Sequence, residues 1–251
     1  MIVYKSKDEV EKMRKAGRIV SATIERVLAA VAPRRSTADL DAVAEAFIRE
    51  QGAAPSFLGC RWFPATICTS LNDEVVHGIP SPKRVLKEGD ILSLDFGAIW
   101  EGFHADSAVT VFVGGAPSAE AEKLVRVTEE SLEAGISQIR AGGRITDISH
   151  AVEQVVLGAG FEVVREYVGH GVGRALHEDP QVPNYGDPGR GPEMKPGLVI
   201  AVEPMVNMGD WPIRVRADGW TVVTDDGSLS AHFEHTIAVT EDGAEVLTAR
   251  D

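Results

Sequence analysis

The chain spells one order of elements twice: two amphipathic helices, then a set of apolar strands, then the same again. Ser6 and Glu9 form a capping-box pattern, a hydroxyl followed three residues later by a glutamate. Val10, Met13, Val20, Ile24, Val27 and Val31 then recur at helical spacing until Pro33 ends the pattern. A second helix is predicted from Ser36 or Thr37 through Leu40, Val43, Ala44 and Phe47 to a stop at Gly52. Strand-like segments fill 67–113. The pattern restarts with a helix opened by Ser118 and running through Leu124, Val127 and Leu132. Another is opened by Thr146 and runs through Ile148, Val152, Val155 and Val156 to about Gly158. Strands are expected again over 162–167, 198–205, 219–224 and 232–240. The seam falls at 114–117, without a residue-level repeat or a low-complexity linker. This order predicts one α+β domain over residues 1–251, built of two similar halves, with a site between them.

Composition narrows the partners. The net charge of -13 argues against a nucleic-acid backbone or an anionic membrane surface as the main partner. No apolar run approaches the ~18 residues of a membrane span. The opening MIVYKSKDEVEKMRK lacks the apolar core and cleavage site of a secretory signal. Cys60 and Cys68 are not spaced as C-x-x-C, and no second pair exists, which excludes a zinc knuckle. Two reduced thiols in a cytoplasmic protein are expected.

The segment ILSLDFGAIWEGFHADSAVTVFV (91–113) reads as two strands around a turn at 100–102. A turn centred between Trp100 and Glu101 places Asp95 opposite Asp106, with their Cβ atoms ~5 Å apart. Two like charges there are destabilising, so one must be protonated or a cation must lie between them. A register off by one would instead make them turn and cap residues. Two further carboxylates shift the balance. The apolar run LVIAV ends in Glu203-Pro204, and Glu234 lies inside AHFEHTIAV. With His170 as a fifth donor, the set is oxygen-rich with one imidazole. Four carboxylates carry about -4, which two divalent cations and a bridging hydroxide would bring to about -1. Such donors suit Mn, Fe, Co or Zn in a catalytic pair, and paired metals activate water for hydrolysis.

In this order, Asp95, Asp106, His170, Glu203 and Glu234 resemble the ligands of the dinuclear metallopeptidases of the pita-bread fold. Within that group, CTSLNDEVVHGIP (68–80), SLDFGAIWEGFHADSAVTVFVG, GHGVGRALHEDPQVPNY (169–185) and GWTVVTDDGSLSAHFEHTIAVT are similar to the motifs of bacterial type I methionine aminopeptidases. The resemblance covers nearly the whole chain. It implies an α+β pita-bread fold, with pseudo-two-fold related halves and antiparallel sheet covered by helices. It implies that Asp95 chelates one metal, that Asp106 and Glu234 bridge both, and that His170 and Glu203 complete the second. Glu203 would carry the proton of the metal-bridged hydroxide that attacks the first peptide carbonyl. His77 would contact the region of the scissile amide nitrogen, and His177 would stabilise charge on the carbonyl oxygen. The glycines between His170 and His177 would let the backbone turn tightly between them. Phe57, Cys60, Phe63, Cys68, Leu176 and Trp220 would line a methionine pocket. Cys60 and Leu176 stand where related enzymes often carry aromatic rings.

The implied activity is removal of initiator methionine from nascent chains with a small second residue. The enzyme would act as a cytoplasmic monomer, with transient association at the ribosome. The absence of a zinc-finger extension and of a long insertion between His170 and Glu203 matches the short bacterial form. Two alternatives stand beside it: an X-Pro dipeptidase or aminopeptidase P, and a non-catalytic peptide-binding module on the same fold. The intact ligands favour catalysis, and NDEVVHGIP favours the methionine enzymes. His104, His150, His232 and His235 are expected to be structural or surface residues. Neither H-E-x-x-H on a helix nor G-x-G-x-x-G occurs.

Overall fold

Ser6 Oγ accepts the amide of Glu9 at 3.3 Å, and the Glu9 carboxylate takes the Ser6 amide at 3.0 Å. Two otherwise unpaired donors are thereby satisfied, and helix α1 (Lys7–Leu28) follows. Ser36 and Asp39 repeat the arrangement for α2 (Thr37–Glu50). The computed structural model describes residues 1–250. In it, α3 (Ala119–Ile136) starts on Ser118, as its sequence predicts. Helix α4 (Ile145–Gly158) begins a residue earlier than the Thr146 expectation. The Asp147 carboxylate accepts the Arg144 amide at 2.8 Å and does the capping. The Thr146 hydroxyl is used instead by the backbone of Arg190.

The apolar faces of α1 and α2, including Ile24, Leu40 and Ile48, share one core with Leu92, Leu94 and Phe96 of the long hairpin. Helix α1 approaches its neighbour so closely that a Cβ on Gly17 would lie 2.1 Å from the Leu247 carbonyl oxygen. Helices α3 and α4 pack together over Val163, Val206 and Ala231. Two antiparallel sheets dominate. In one, the strand Ile91–Trp100 pairs with Phe103–Phe112 along one edge, and with Ile67–Leu71 and Ala54–Pro55 along the other. The other sheet runs Ala244–Val246, His235–Val239, Val199–Val202, Gly169–Gly171, Glu178–Val182.

The strands expected over 198–205 and 232–240 are each broken. Val199–Val202 lies in the five-stranded sheet, and Met205–Asn207 pairs instead with Ser230–His232 in a separate one. Pro204 has no amide hydrogen to continue a ladder. Register nevertheless carries across the break. Val202 pairs with His235 and Met205 with His232, so Glu203 stands opposite Glu234 in the gap between the two ladders. Both glutamates therefore sit where their strands change sheets.

The hairpin meets this gap. The amide of Asp106 donates to Thr236 Oγ1 at 2.9 Å, and that hydroxyl donates back to the Asp106 carbonyl at 2.7 Å. Ala108 and Glu234 exchange backbone hydrogen bonds at 3.3 and 3.0 Å. These bonds stitch the first half to the second along one line of acidic residues, where the order of elements placed a site.

Candidate metal centre and active site

The two aspartates are brought together by a different register from the one the hairpin sequence suggests. Its turn is Glu101-Gly102, with φ of 47° and 79°, and Trp100 pairs with Phe103. Both turn residues are left-handed, as the commonest two-residue hairpin loop requires. Asp95 therefore pairs with Ala108, and Asp106 with Gly97. A shift of two residues keeps each side chain on its face, so the aspartates become diagonal neighbours on one side of the sheet. They still face one another closely enough for the Asp95 charge to push Asp106 further up.

Glu203 and Glu234 enter from the gap between ladders, and His170 from the short strand Gly169–Gly171. Donor atoms of Asp106, His170 and Glu234 all lie within 4.8 Å of one another. His170 Nε2 is 3.4 Å from Glu203 Oε1 and 3.9 Å from Asp106 Oδ2. His170 Nδ1 lies 2.9 Å from the Gly171 carbonyl oxygen, which sets it as the protonated nitrogen and turns the lone pair of Nε2 toward the carboxylates. Burial pushes the carboxyls up: Asp95 to about 7, and Asp106, Glu203 and Glu234 well above their ordinary range, each raised further by its acidic neighbours except Asp95, where burial dominates. Burial also lowers His170 to about 4. Asp95 Oδ1, Asp106 Oδ1 and Glu234 Oε1 are buried without a hydrogen-bond partner. Several buried acids with orphaned oxygens around a neutral imidazole fit a divalent cation, which supplies the missing partner and cancels the repulsion.

Two further histidines face this centre. His77 adopts φ 60°, a costly conformation for a residue with a side chain. Its loop is held by Arg84, which donates to the carbonyls of Thr69 (3.0 Å) and Ile79 (2.9 Å) and pairs with buried Glu74. The His177 ring lies 4.3 Å from that of His170, centroid to centroid. The next residue, Glu178, pairs with buried Lys5 at 2.8 Å and accepts the Ala175 amide at 3.1 Å. Burial, with the nearby Arg61 charge, lowers both histidines, His77 to about 4. The glycines of GHGVG serve close approach rather than turning. None has positive φ, and a Cβ would lie 2.3 Å from the Ala201 carbonyl oxygen at Gly169 and 2.2 Å from that of Asp179 at Gly171.

The cavity beside the centre has a volume of about 320 Å³. All six expected apolar residues line it. Phe57, Phe63, Cys68 and Leu176 belong to one buried cluster, with Cys60 and Trp220 against it. Phe63 and Trp220 meet edge to face at 5.1 Å. Burial pushes the Cys68 thiol up, so it serves as an apolar wall. The sequence did not single out Tyr167, Arg61 and Gln181, which also line the cavity. Tyr167 directly precedes the histidine segment and stacks edge-on to His77 at 5.4 Å. Arg61 adjoins Cys60, and proximity to flagged residues was the only signal for either. His104, His232 and His235 are held within the fold, as expected. His104 pairs with Ser56, His235 with Thr248, and His232 is buried beneath Thr110.

A buried acid–imidazole cluster at the junction of two antiparallel sheets, opening on an apolar pocket, defines a metallohydrolase site. The model of metallopeptidase family M24 matches residues 11–241, and the chain belongs to that family. It is 52% identical to a methionine aminopeptidase of Clostridium acetobutylicum, over 99% of each chain. It is 54% identical to methionine aminopeptidase 1 of Bacillus subtilis, again over 99% of each. The crystal structure of a methionine aminopeptidase from Thermotoga maritima superposes with a TM-score of 0.98 at 47% identity, covering all of both chains. A prolidase from Pyrococcus horikoshii shares the fold, with a TM-score of 0.80 at 19% identity, the match covering 65% of that longer chain. The expected pita-bread fold is the one observed, and the family together with the buried cluster supports divalent-metal binding.

Proposed function

We propose that residues 1–251 form a single catalytic unit that hydrolyses the bond after an N-terminal methionine, on nascent chains with a small second residue. The observation that carries this reading is the union, in one cavity, of a buried metal-type cluster and an apolar pocket. Relatives named methionine aminopeptidase, about half identical over their full length, support it over the X-Pro enzymes and over a non-catalytic module.

Asp95, Asp106, His170, Glu203 and Glu234 would hold two divalent ions, of manganese, iron, cobalt or zinc. When bound, the ions supply positive charge that polarises the scissile carbonyl and acidifies water. Phe57, Cys60, Phe63, Cys68, Leu176 and Trp220 take the methionine side chain, whose thioether suits aromatic and sulfur neighbours. That burial sets the first carbonyl against the acidic end. Glu203 stands opposite Glu234 at the acidic end of the cavity, where an Oε atom can accept a proton from water and return it to the leaving amine. His177 is neutral near pH 7, with one ring N–H to donate to the carbonyl oxygen as charge builds there. His77, on its strained loop, faces the amide nitrogen. The enzyme would work in the cytoplasm as a monomer, meeting its substrates at the ribosome.

The test is chelation, reloading with each divalent ion, and assay on peptides beginning Met-Gly, Met-Leu and Ala-Pro. Release of methionine from the Met-Gly peptide alone is expected. Cleavage of the Ala-Pro peptide would transfer the protein to the proline-directed enzymes, and inertness with every ion would leave a binding module.

A further inference from the structure

A chain cleaved after its first residue still has to leave the cavity, and the structure offers it a continuous path. A second, more open hollow of about 470 Å³ adjoins the first. The two share Arg61, Val168, His170, His177 and Gln181, so the path starts at the histidine assigned to the carbonyl oxygen. The charges along it are unequal. Glu178 is neutralised by buried Lys5 at 2.8 Å. Asp179 is paired with the terminal ammonium of Met1. Arg61 is exposed and makes no hydrogen bond or ion pair among the described residues. Its guanidinium is the one basic side chain lining the hollow, in a chain whose net charge is -13.

The backbone fixes where that charge sits. Arg61 and Trp62 both take left-handed conformations, with φ of 46° and 74°. A residue with a Cβ adopts that region only where the surrounding structure enforces it. The turn is closed by backbone bonds from Cys60 to Phe57 (2.8 Å), Phe63 to Cys60 (2.8 Å) and Gly59 to Phe63 (2.9 Å). Phe57, Cys60 and Phe63 are the same residues that line the methionine pocket, so the arginine is anchored to the wall of the site.

We propose that Arg61 reads the charge of the substrate beyond its second residue, favouring an acidic side chain at the third or fourth position over a basic one. An extended chain advances ~3.4 Å per residue, which brings those positions across the second hollow once methionine fills the first. This inference rests on the aminopeptidase reading. A guanidinium–carboxylate pair exposed to solvent is worth up to ~1 kcal/mol, or about fivefold.

The experiment compares kcat/KM for two pentapeptides, Met-Gly-Glu-Glu-Phe and Met-Gly-Lys-Lys-Phe, in the metal-loaded protein and in Arg61→Gln and Arg61→Glu. The parent should prefer the acidic peptide by about fivefold at low salt, and by less at high salt, where the Debye length shortens. Arg61→Gln should bring the ratio close to one, and Arg61→Glu should invert it. The ratio is internal to each variant, so a general loss of activity from disturbing the turn cancels. Equal rates on both peptides in the parent, or a preference that persists in Arg61→Gln, would overturn the assignment and leave the aminopeptidase reading intact. Release of methionine from neither peptide would sink both.

Discussion

The two ends of the catalytic cavity are built on opposite principles. At one end Phe57, Phe63, Cys68 and Leu176 pack as a small core would, and their burial is favourable whether or not substrate is present. At the other end Asp95, Asp106, Glu203 and Glu234 are crowded together, with three orphaned oxygens and no cation among the described residues close enough to pair with them. That end is costly by itself, and the fold holds it by backbone stitching across the two halves. The apolar end stores substrate affinity. The acidic end stores repulsion that a bound cation, or protonation when the cation is absent, relieves.

The sharpest way to test this contrast is Glu234→Gln. Loss of one buried carboxylate from the centre should lower metal content and activity together, activity by more than ~100-fold, because even partners that only orient ligands are worth 10- to 100-fold. Metal analysis beside the rate is the check, and full occupancy with full activity would remove Glu234 from the ligand set.

Chelation should expose the cost of the acidic end as a pH-dependent stability. Asp95 is raised from 3.8 to about 7, and Asp106, Glu203 and Glu234 are raised as well, with burial the largest cause for each. A folded state that binds protons more tightly than the unfolded one is most stable below the unfolded pKa, and loses that advantage as pH rises through the folded value. Metal-free protein should therefore melt lower at pH 8.5 than at pH 7.5, while metal-loaded protein changes less across the same window. Burial lowers His77, His104, His170, His177, His232 and His235 from 6.5, which makes stability rise with pH, but only below this window, where the unfolded chain protonates them. A metal-free Tm that rose with pH would contradict the account.

Leu176→Ala probes the apolar end and should do least. Trimming that wall should raise KM by about tenfold, in line with the 1–3 kcal/mol of small changes in apolar pockets, with metal content unchanged. A loss of metal in this variant would show that the two ends are not separable.

Much of this was legible along the chain because it depends on local rules. The capping residues Ser6 and Ser118, the helical periodicities and the aspartate-bearing hairpin each follow from short-range stereochemistry. The face shared by Asp95 and Asp106 was robust even though their register was not, since a two-residue slip in a strand preserves sidedness. Thr146 was misread as a cap because a hydroxyl and a following acid look alike until the backbone of Arg190 claims the hydroxyl.

The sequence by itself determined which side chains the site would contain, because carboxylates on apolar strands are too costly to be incidental. Only the tertiary structure decided how they meet. Glu203 stands opposite Glu234 because two ladders keep register across a proline break, and Lys5 reaches Glu178 from the far end of the chain. The glycines of the histidine segment were predicted to turn, and they instead admit the backbones of Ala201 and Asp179. These are contacts between distant segments, and their geometry is set by packing that no local pattern encodes.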